Sequence, residues 1–223
     1  MAGYQTAFNW GKWKGAVSVA KRTIITIGRE FGSGGREIGQ ALASALGIAY
    51  YDRELLVAAA KDSGMSVELF ENNDEKPVNS LLYSLSVNPY AVGNIAGANM
   101  LPLNQKLFLA QFETIQRIAR EHDCVIVGRC ADYALRSEPD CLNVFIHAPL
   151  QYRIARVKQR HNLDSAAAKD LIVKTDKKRA AYYNSYSDKR WGDLGGYHLT
   201  LDSSVISTDG AVELIKSFTS MRK

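Results

Sequence analysis

The chain has little cysteine, and this limits its chemistry. Among 223 residues there are three cysteines, Cys124, Cys130 and Cys141, an odd number without the paired spacing of a zinc site. Cys124 opens an apolar run that is typical of a central strand. We therefore interpret the cysteines as reduced packing residues, and we assign no residue as a metal ligand.

Long apolar segments are also missing. No uninterrupted apolar run reaches the roughly 18 residues that a membrane-spanning helix needs. The first residues, MAGYQTAFNWGKWKGAVSVAKR, lack the compact apolar core of a secretory signal. These absences predict a cytoplasmic protein without a membrane partner. Hydrophobic residues make up 46% of the chain, which is enough for a sizeable core.

Signatures of nucleic-acid recognition are absent too. The net charge is +5, which favours an acidic partner of some kind. The densest basic segment, residues 153–190, has acidic residues between the basic ones and contains no recognition-helix, zinc-finger or aromatic RNA-binding pattern. We therefore do not expect nucleic acid as the partner, and the sequence leaves the oligomeric state open.

Strands alternate with helices along most of the chain. Short β-branched or apolar runs predict five strands, at 24–27, 48–51, 124–127, 143–147 and 198–201. Apolar residues at helical spacing lie between them. The alternation predicts one α/β domain from 23 to 223, with a doubly wound, mostly parallel five-stranded sheet flanked by helices. Residues 1–22 are predicted to form an N-terminal arm, and the polar stretch from about 62 to 105 a mobile insertion.

A glycine-rich turn follows the first predicted strand, in the sequence TIITIGREFGSGGREIG at 23–39. Glycines let the chain turn tightly, and free backbone amides at the start of the next helix can bind an anion. The turn is therefore a candidate phosphate cradle. Its candidate binding residues are Gly28, Arg29, Gly32, Ser33, Gly34, Gly35 and Arg36.

Three interpretations of this turn stay open. It is a plain structural turn, a dinucleotide-binding turn that lacks its third glycine because Glu37 stands there, or a modified P-loop. In the P-loop alignment Gly35 takes the place of the lysine and Arg36 that of the magnesium-binding hydroxyl. The backbone cradle survives both changes, since it needs only N–H groups, and Arg36 or Arg29 can restore the lost positive charge.

Charged residues follow two other predicted strands. Arg129 comes directly after the third strand, at the edge where open α/β sheets bind ligands, and its guanidinium suits a phosphate. An ion pair with Asp132 is the structural alternative. Asp52 and Arg53 follow the second strand, so Arg53 can hold an acceptor phosphate. Asp52 can serve a magnesium shell, a base or a sugar, or it can cap a helix.

A third basic group is spread over two consecutive predicted helices. Its members are Arg153, Arg156, Arg160, Lys174 and Arg179. The first three are spaced by three and four residues, so they share a helix face. A solvated basic face is the usual explanation for such a run. Together with the two phosphate-binding elements upstream, the group favours a cationic clamp for phosphoryl transfer.

Four segments together resemble the cytidylate kinase-like family, relatives of bacterial cytidylate kinase among the P-loop nucleoside monophosphate kinases. They are IITIGREFGSGGREIGQALASALGIAYYDRELL, DCVIVGRCADYAL, NVFIHAPLQYRIARVKQR and TDKKRAAYYNSYSDKRWGDLGGYHLTLDSS. Their order and spacing match the family, and the resemblance extends from Thr23 to the C-terminus. It implies a core sheet, a monophosphate-binding insertion at about 62–105 and an arginine-bearing lid at about 158–190.

The implied activity is phosphoryl transfer from ATP, with Mg²⁺, to CMP or dCMP. The resemblance places an Asp176…Arg179 pair in the lid. The catalytic candidates are Arg36, Arg156, Arg160 and Arg179, and the substrate-binding candidates are Asp52, Arg53, Arg129 and Asp132. True cytidylate kinases carry the P-loop lysine, which this chain lacks. The alternative is therefore a nucleotide-binding regulatory protein with weak or no catalysis, and restoring a lysine at position 35 is the expected test of the missing charge.

Overall fold

The computed structural model describes residues 22–75 and 101–222. Five strands form one sheet in the order β2-β3-β1-β4-β5, and every neighbouring pair is parallel. The strands are β1 (Ile24–Arg29), β2 (Ala49–Tyr51), β3 (Cys124–Val127), β4 (Cys141–His147) and β5 (Leu199–Asp202). The doubly wound parallel sheet predicted from the sequence is confirmed.

Helices connect the strands and cover both faces of the sheet. The described helices are α1 (Gly35–Leu46), α2 (Glu54–Ser63), α3 (Val67–Asn73), α4 (Leu103–Glu121), α5 (Ala131–Ala134), α6 (Leu150–His161), α7 (Ser165–Tyr186) and α8 (Thr208–Met221). A 3₁₀ turn at Leu194–Gly196 precedes β5. Because each crossover contains a helix, the strands can run parallel.

The core lies on the two faces of the central strands. On one face Ile38 and Leu42 of α1 and Ile215 of α8 pack against β1, β3 and β4. On the other, Ile115 and Ile118 of α4 pack with residues of α2 and α5. Strands buried on both faces read as continuous apolar runs, which explains why β1 and β3 were recognisable in the sequence.

Element boundaries differ by a few residues from those predicted. Strand β4 begins at Cys141 rather than 143, and α4 begins at Leu103, directly after Pro102. Gly47 ends α1 in the left-handed conformation, with φ of 65°, as its position after the last apolar residue predicts. All three cysteines are buried and free.

The predicted subdivisions lie partly outside the described residues. The predicted arm falls there except for Arg22, and so do residues 76–100 of the predicted insertion. The described part of that insertion contains the end of α2, the whole of α3 and the first residues of α4. The predicted lid spans the end of α6 and the whole of α7. None of the described helices is long and apolar enough to cross a bilayer.

Candidate functional site

A cleft of about 550 Å³ lies at the carboxyl edge of the sheet. Parallel strands end on the same side, so the residues that follow β1, β2 and β3 meet there. The glycine turn forms one wall, and α6 and α7 contribute another. Seven of the arginines proposed from the sequence line this cleft: Arg29, Arg36, Arg53, Arg129, Arg156, Arg160 and Arg179.

The glycine turn presents open backbone amides to the cleft. Gly32 and Gly34 have φ of 82° and 85°, a left-handed conformation that glycine adopts without steric cost. Within the described residues, the amides of Gly34, Gly35, Arg36 and Glu37 have no hydrogen-bond acceptor. They lie at the positive end of the α1 dipole. The turn therefore has the geometry of an anion cradle.

Three of the predicted site residues lie outside this cleft. Ser33 is 1% exposed, and its hydroxyl donates to the carbonyls of Glu30 and Ile146, so it faces the fold. Gly28 and Asp132 line a smaller cavity behind the cleft. The Asp132 carboxylate accepts a hydrogen bond from the Tyr183 hydroxyl at 2.6 Å, and burial raises the pKa of this carboxyl.

The position of the missing lysine has no room for a side chain. A Cβ at Gly35 would lie 2.6 Å from the Cβ of Arg29 and 3.3 Å from that of Ile146. Because the Arg29 Cβ is fixed to the backbone, neither contact can relax easily. The expectation that a lysine restored at 35 isolates the missing charge is therefore wrong, since any side chain there would also displace the turn.

Arg129 is the most deeply buried arginine of the cleft, with 2% of its side chain exposed. It donates to Asp52 at 3.0 Å and, through two nitrogens, to Asp74 at 3.1 and 3.0 Å. Burial acts to lower the pKa of Arg129, but these carboxylates and Glu75 outweigh it, so the pKa is raised. The alternative pairing with Asp132 is not observed.

Asp52 joins two of the predicted arginines. Its carboxylate binds Arg129 through one oxygen and Arg36 through the other, the latter at 2.8 Å. It does not cap α2, because the cap position is Arg53 and no side chain caps that helix. Arg53 is exposed, and among the described carboxylates none pairs with it. It is the cleft arginine most available to a ligand.

Glu75 bridges two arginines from opposite walls of the cleft. It accepts from Arg29, at the end of β1, at 3.1 Å and from Arg179, on α7, at 3.3 Å. Burial alone would raise the pKa of Glu75, but Arg29, Arg179 and Arg129 lower it to about 2. Burial, together with Arg29, lowers the pKa of Arg179 to about 10. No motif or spacing singles out Glu75 or Asp74, because both lie in the polar insertion.

Gly128 brings the backbone close to the side chain of Arg29. In the structure the guanidinium of Arg29 lies against it, where a Cβ would stand, and Gly128 has φ of 78°. The glycine therefore positions Arg29 and, through it, Glu75.

The basic face of α6 is divided between the cleft and the core. Arg156 and Arg160 face the cleft, and both donate to Glu37, each at 2.6 Å. Arg153 is instead buried and binds Asp176 at 2.5 Å and Glu30 at 3.3 Å. The prediction that Arg153 belongs to the clamp is therefore wrong, although Arg153 shares the spacing of the other two.

Asp176 and Lys174 also make contacts that the sequence did not indicate. The other oxygen of Asp176 accepts from the Phe31 amide at 2.7 Å, which ties α7 to the glycine turn. Lys174 pairs with Asp170 on the exposed surface of α7 and does not line the cleft, so the prediction that it belongs to the clamp is wrong.

Comparisons with known proteins agree with this architecture. Residues 24–205 match the Cytidylate kinase-like family. A protein named cytidylate kinase from Methanopyrus kandleri is 25% identical over 203 residues, covering 87% of this chain and 91% of that protein. A crystal structure of an uncharacterized protein from Eubacterium ventriosum is similar with a TM-score of 0.67 and 28% identity, over 90% of this chain and 100% of that one.

The fold is shared more widely than the sequence. Shikimate kinase from Bacteroides thetaiotaomicron superposes with a TM-score of 0.52 at 13% identity, over 89% of this chain and 99% of that one. At that identity the likeness concerns the fold alone. The family match supports a kinase-like function. The chain belongs to the cytidylate kinase-like family.

Proposed function

We propose that this chain transfers the γ-phosphoryl group of ATP to a nucleoside monophosphate, with CMP or dCMP as the acceptor. One arrangement supports the proposal above all: open amides of the glycine turn and seven arginines from separate segments face one cleft. Positioned cations and amides are most of what a protein contributes to phosphoryl transfer. The cytidine base is suggested by the family and by the name of the Methanopyrus kandleri relative.

The charges of the cleft fit two phosphorylated substrates. Among the described residues, seven arginines and five carboxylates line it, which leaves an excess of two positive charges. The arginines are spread from the turn to α7, so a donor at the turn and an acceptor near Arg53 and Arg129 lie within reach of the same cluster. In this proposal no protein nucleophile is needed, because an oxygen of the acceptor phosphate attacks in line while the arginines neutralise the transferred charge.

A magnesium ion fits the oxygen ligands of this cleft. Magnesium binds through one or two carboxylates together with substrate phosphates. Arg36 has no acceptor atom, and the Ser33 hydroxyl is turned into the fold, so the carboxylates facing the cleft are the protein ligands on offer there. The ion would supply charge neutralisation on the phosphates.

A panel of acceptors tests the proposal. ATP is offered with CMP, dCMP, UMP, AMP or GMP, and ADP release is followed by a coupled assay. We expect turnover with CMP and dCMP to exceed that with AMP and GMP. Absence of ADP release with every acceptor, in a protein that is folded, contradicts the proposal.

The second candidate function is nucleotide binding without efficient catalysis. It is favoured by Gly35, because the charge that this position usually carries is absent and the site has no room for it. Losing one preorganised donor commonly lowers a rate by about 10² to 10³. Calorimetry and the coupled assay together separate the two functions: a regulatory protein binds ATP and CMP in the same range as an enzyme but releases no ADP.

A further inference from the structure

One carboxylate stands in the anion cradle itself. Glu37, in the first turn of α1, places one oxygen on Arg156 and the other on Arg160, each at 2.6 Å. A Cβ at Gly34 would lie 3.1 Å from the Glu37 carboxylate and 3.2 Å from the Arg156 guanidinium. The ion pair therefore lies directly over the glycine turn, beside the open amides.

Glu37 and a phosphate compete for the same partners. The two arginines that face the cradle from α6 are both engaged by this one carboxylate. A phosphate bound to the turn amides takes up the arginines by bidentate hydrogen bonds, which are stronger than those of a half-exposed carboxylate. Glu37 then loses its counter-ions while a second negative group comes beside it, so it needs a cation.

Glu37 is also the cleft carboxylate best placed to bind one. Asp52 is buried between Arg36 and Arg129, and Glu30 accepts from the Ala148 amide and pairs with Arg153. Glu37 keeps 35% of its side chain exposed. No group of three or more His, Cys, Asp or Glu side chains in the described ranges is arranged to hold a metal without further ligands, so an ion here must also use substrate oxygens.

We propose that Glu37 exchanges its arginines for magnesium when the nucleotide binds. In the empty cleft it positions Arg156 and Arg160. With the phosphates in place it releases both and becomes a carboxylate ligand of the Mg²⁺ that accompanies them, in the role that the hydroxyl after the P-loop lysine has elsewhere. The inference rests on the proposed function, because the incoming phosphates are taken to be those of ATP.

Calorimetry of ATP binding tests the exchange without relying on turnover. Wild type, Glu37→Gln and Glu121→Gln are titrated with ATP in EDTA and again in excess Mg²⁺. Glu121 pairs with Arg117 at 2.7 Å, with a similarly exposed carboxylate, outside the cleft. It is a matched control for the loss of an Arg–Glu pair, and thermal unfolding verifies that all three proteins are folded.

The substitution Glu37→Gln is expected to raise the affinity for metal-free ATP and to lower the gain in affinity that Mg²⁺ gives. Without metal, Glu37→Gln should bind ATP about fivefold more tightly than wild type, since two half-exposed ion pairs no longer compete. The gain in affinity that Mg²⁺ gives should fall by at least on the order of tenfold in the variant, as expected when a group that supports a bound metal is removed. Glu121→Gln should match wild type in both conditions.

Other results overturn the inference. A variant that binds metal-free ATP more tightly but keeps the full magnesium gain has lost only a competing anion, so the metal role is wrong. Equal ATP affinities of Glu37→Gln and wild type in EDTA would show that Glu37 does not compete with the phosphates for the arginines. The proposed function is contradicted by a different result. If wild type shows the exchange but transfers no phosphoryl group to any acceptor, the inference holds and the kinase activity is wrong. If it transfers a phosphoryl group without the exchange, the kinase activity holds and the inference is wrong.

Discussion

At the scale of single residues, the cleft arginines differ most in what already holds them. Arg129 is buried between two carboxylates, whereas Arg53 is exposed and has no carboxylate partner among the described residues. Their positions after predicted strands indicated the same substrate-binding role for both. Their substitutions should nevertheless have different consequences, because removing a paired buried charge leaves its partners uncompensated.

Arg53→Ala should weaken acceptor binding without lowering stability. The side chain is exposed at the start of α2 and makes no ion pair with a described residue, so the free energy of unfolding should change by less than about 0.5 kcal/mol. Loss of a charge-assisted contact to a phosphate should raise the dissociation constant of CMP by about tenfold. Calorimetry and urea unfolding measure the two effects. Arg120→Ala, an exposed arginine outside the cleft, is the control and should change neither.

Arg129→Ala should destabilise the fold as well as the site. The substitution leaves Asp52 and Asp74 facing each other without their shared cation, and breaking a buried pair in this way costs about 3–5 kcal/mol. Adding Asp74→Asn should recover part of the loss, because one unpaired charge is removed with it. Urea unfolding of both variants measures the difference. A fully stable Arg129→Ala protein would show that solvent or other residues compensate the carboxylates.

At the scale of elements, the distribution of apolar residues predicted the sheet but not the ion pairs at its carboxyl edge. β1 and β3 were predictable because both are short, β-branched or apolar, and buried on both faces. The strand ends then placed the arginines at one edge. Their carboxylate partners were not predictable, because Glu37, Asp74 and Glu75 lie far from them in sequence and have no period or motif of their own.

The same limit applies to spacing on a helix. Arg153, Arg156 and Arg160 share one face by sequence, yet Arg153 is taken into the core by Asp176 on α7. Whether a cation on such a face meets a ligand or a buried carboxylate depends on which helix packs there, and only the tertiary structure determines that.

Glu75, which links the end of β1 to α7, should make the free energy of unfolding depend on pH. Its pKa is about 2 in the folded protein and 4.5 as its ordinary value. A depressed pKa stabilises the fold above the unfolded value, and the contribution is lost as the pH falls from about 4.5 through about 2. A shift of this size corresponds to about 3 kcal/mol. Glu75→Gln should therefore be less stable than wild type at neutral pH.

Urea unfolding at a series of pH values gives the measurement. The difference in unfolding free energy between wild type and Glu75→Gln should be constant above pH 5, shrink as the pH falls and vanish near pH 2. Asp62→Asn is the comparison, because it also removes a carboxylate partner of an arginine, Arg117, but lies outside the cleft. A Glu75→Gln difference that is independent of pH would show that the carboxylate's charge is not what joins the two elements.

At the scale of the whole molecule, the cleft is held together by ion pairs that substrates must replace. The arginines belong to β1, α1, the segment after β3, α6 and α7, and they are bridged by carboxylates from α1, the β2–α2 connection and the segment after α3. The empty cleft is therefore already cross-linked by charge. At these paired arginines, substrates gain affinity only by the margin with which phosphates bind the guanidinium groups better than carboxylates do.

Two substrates together should stabilise the chain more than either alone. A non-hydrolysable ATP analogue and CMP, each near 100 times its dissociation constant, should each add about 2.7 kcal/mol, and their phosphates meet at the shared arginines. For a chain of this size each kilocalorie per mole raises Tm by about 2–4 °C, so the two ligands together should add roughly 10 °C or more.

The measurement is thermal unfolding with each ligand alone, with both ligands, and with AMP in place of CMP. Because the contacts are ionic, the shift should shrink between low salt and 1 M salt. Equal shifts with AMP and CMP would contradict cytidine selectivity, and no shift with any ligand would contradict the placement of both substrates in this cleft.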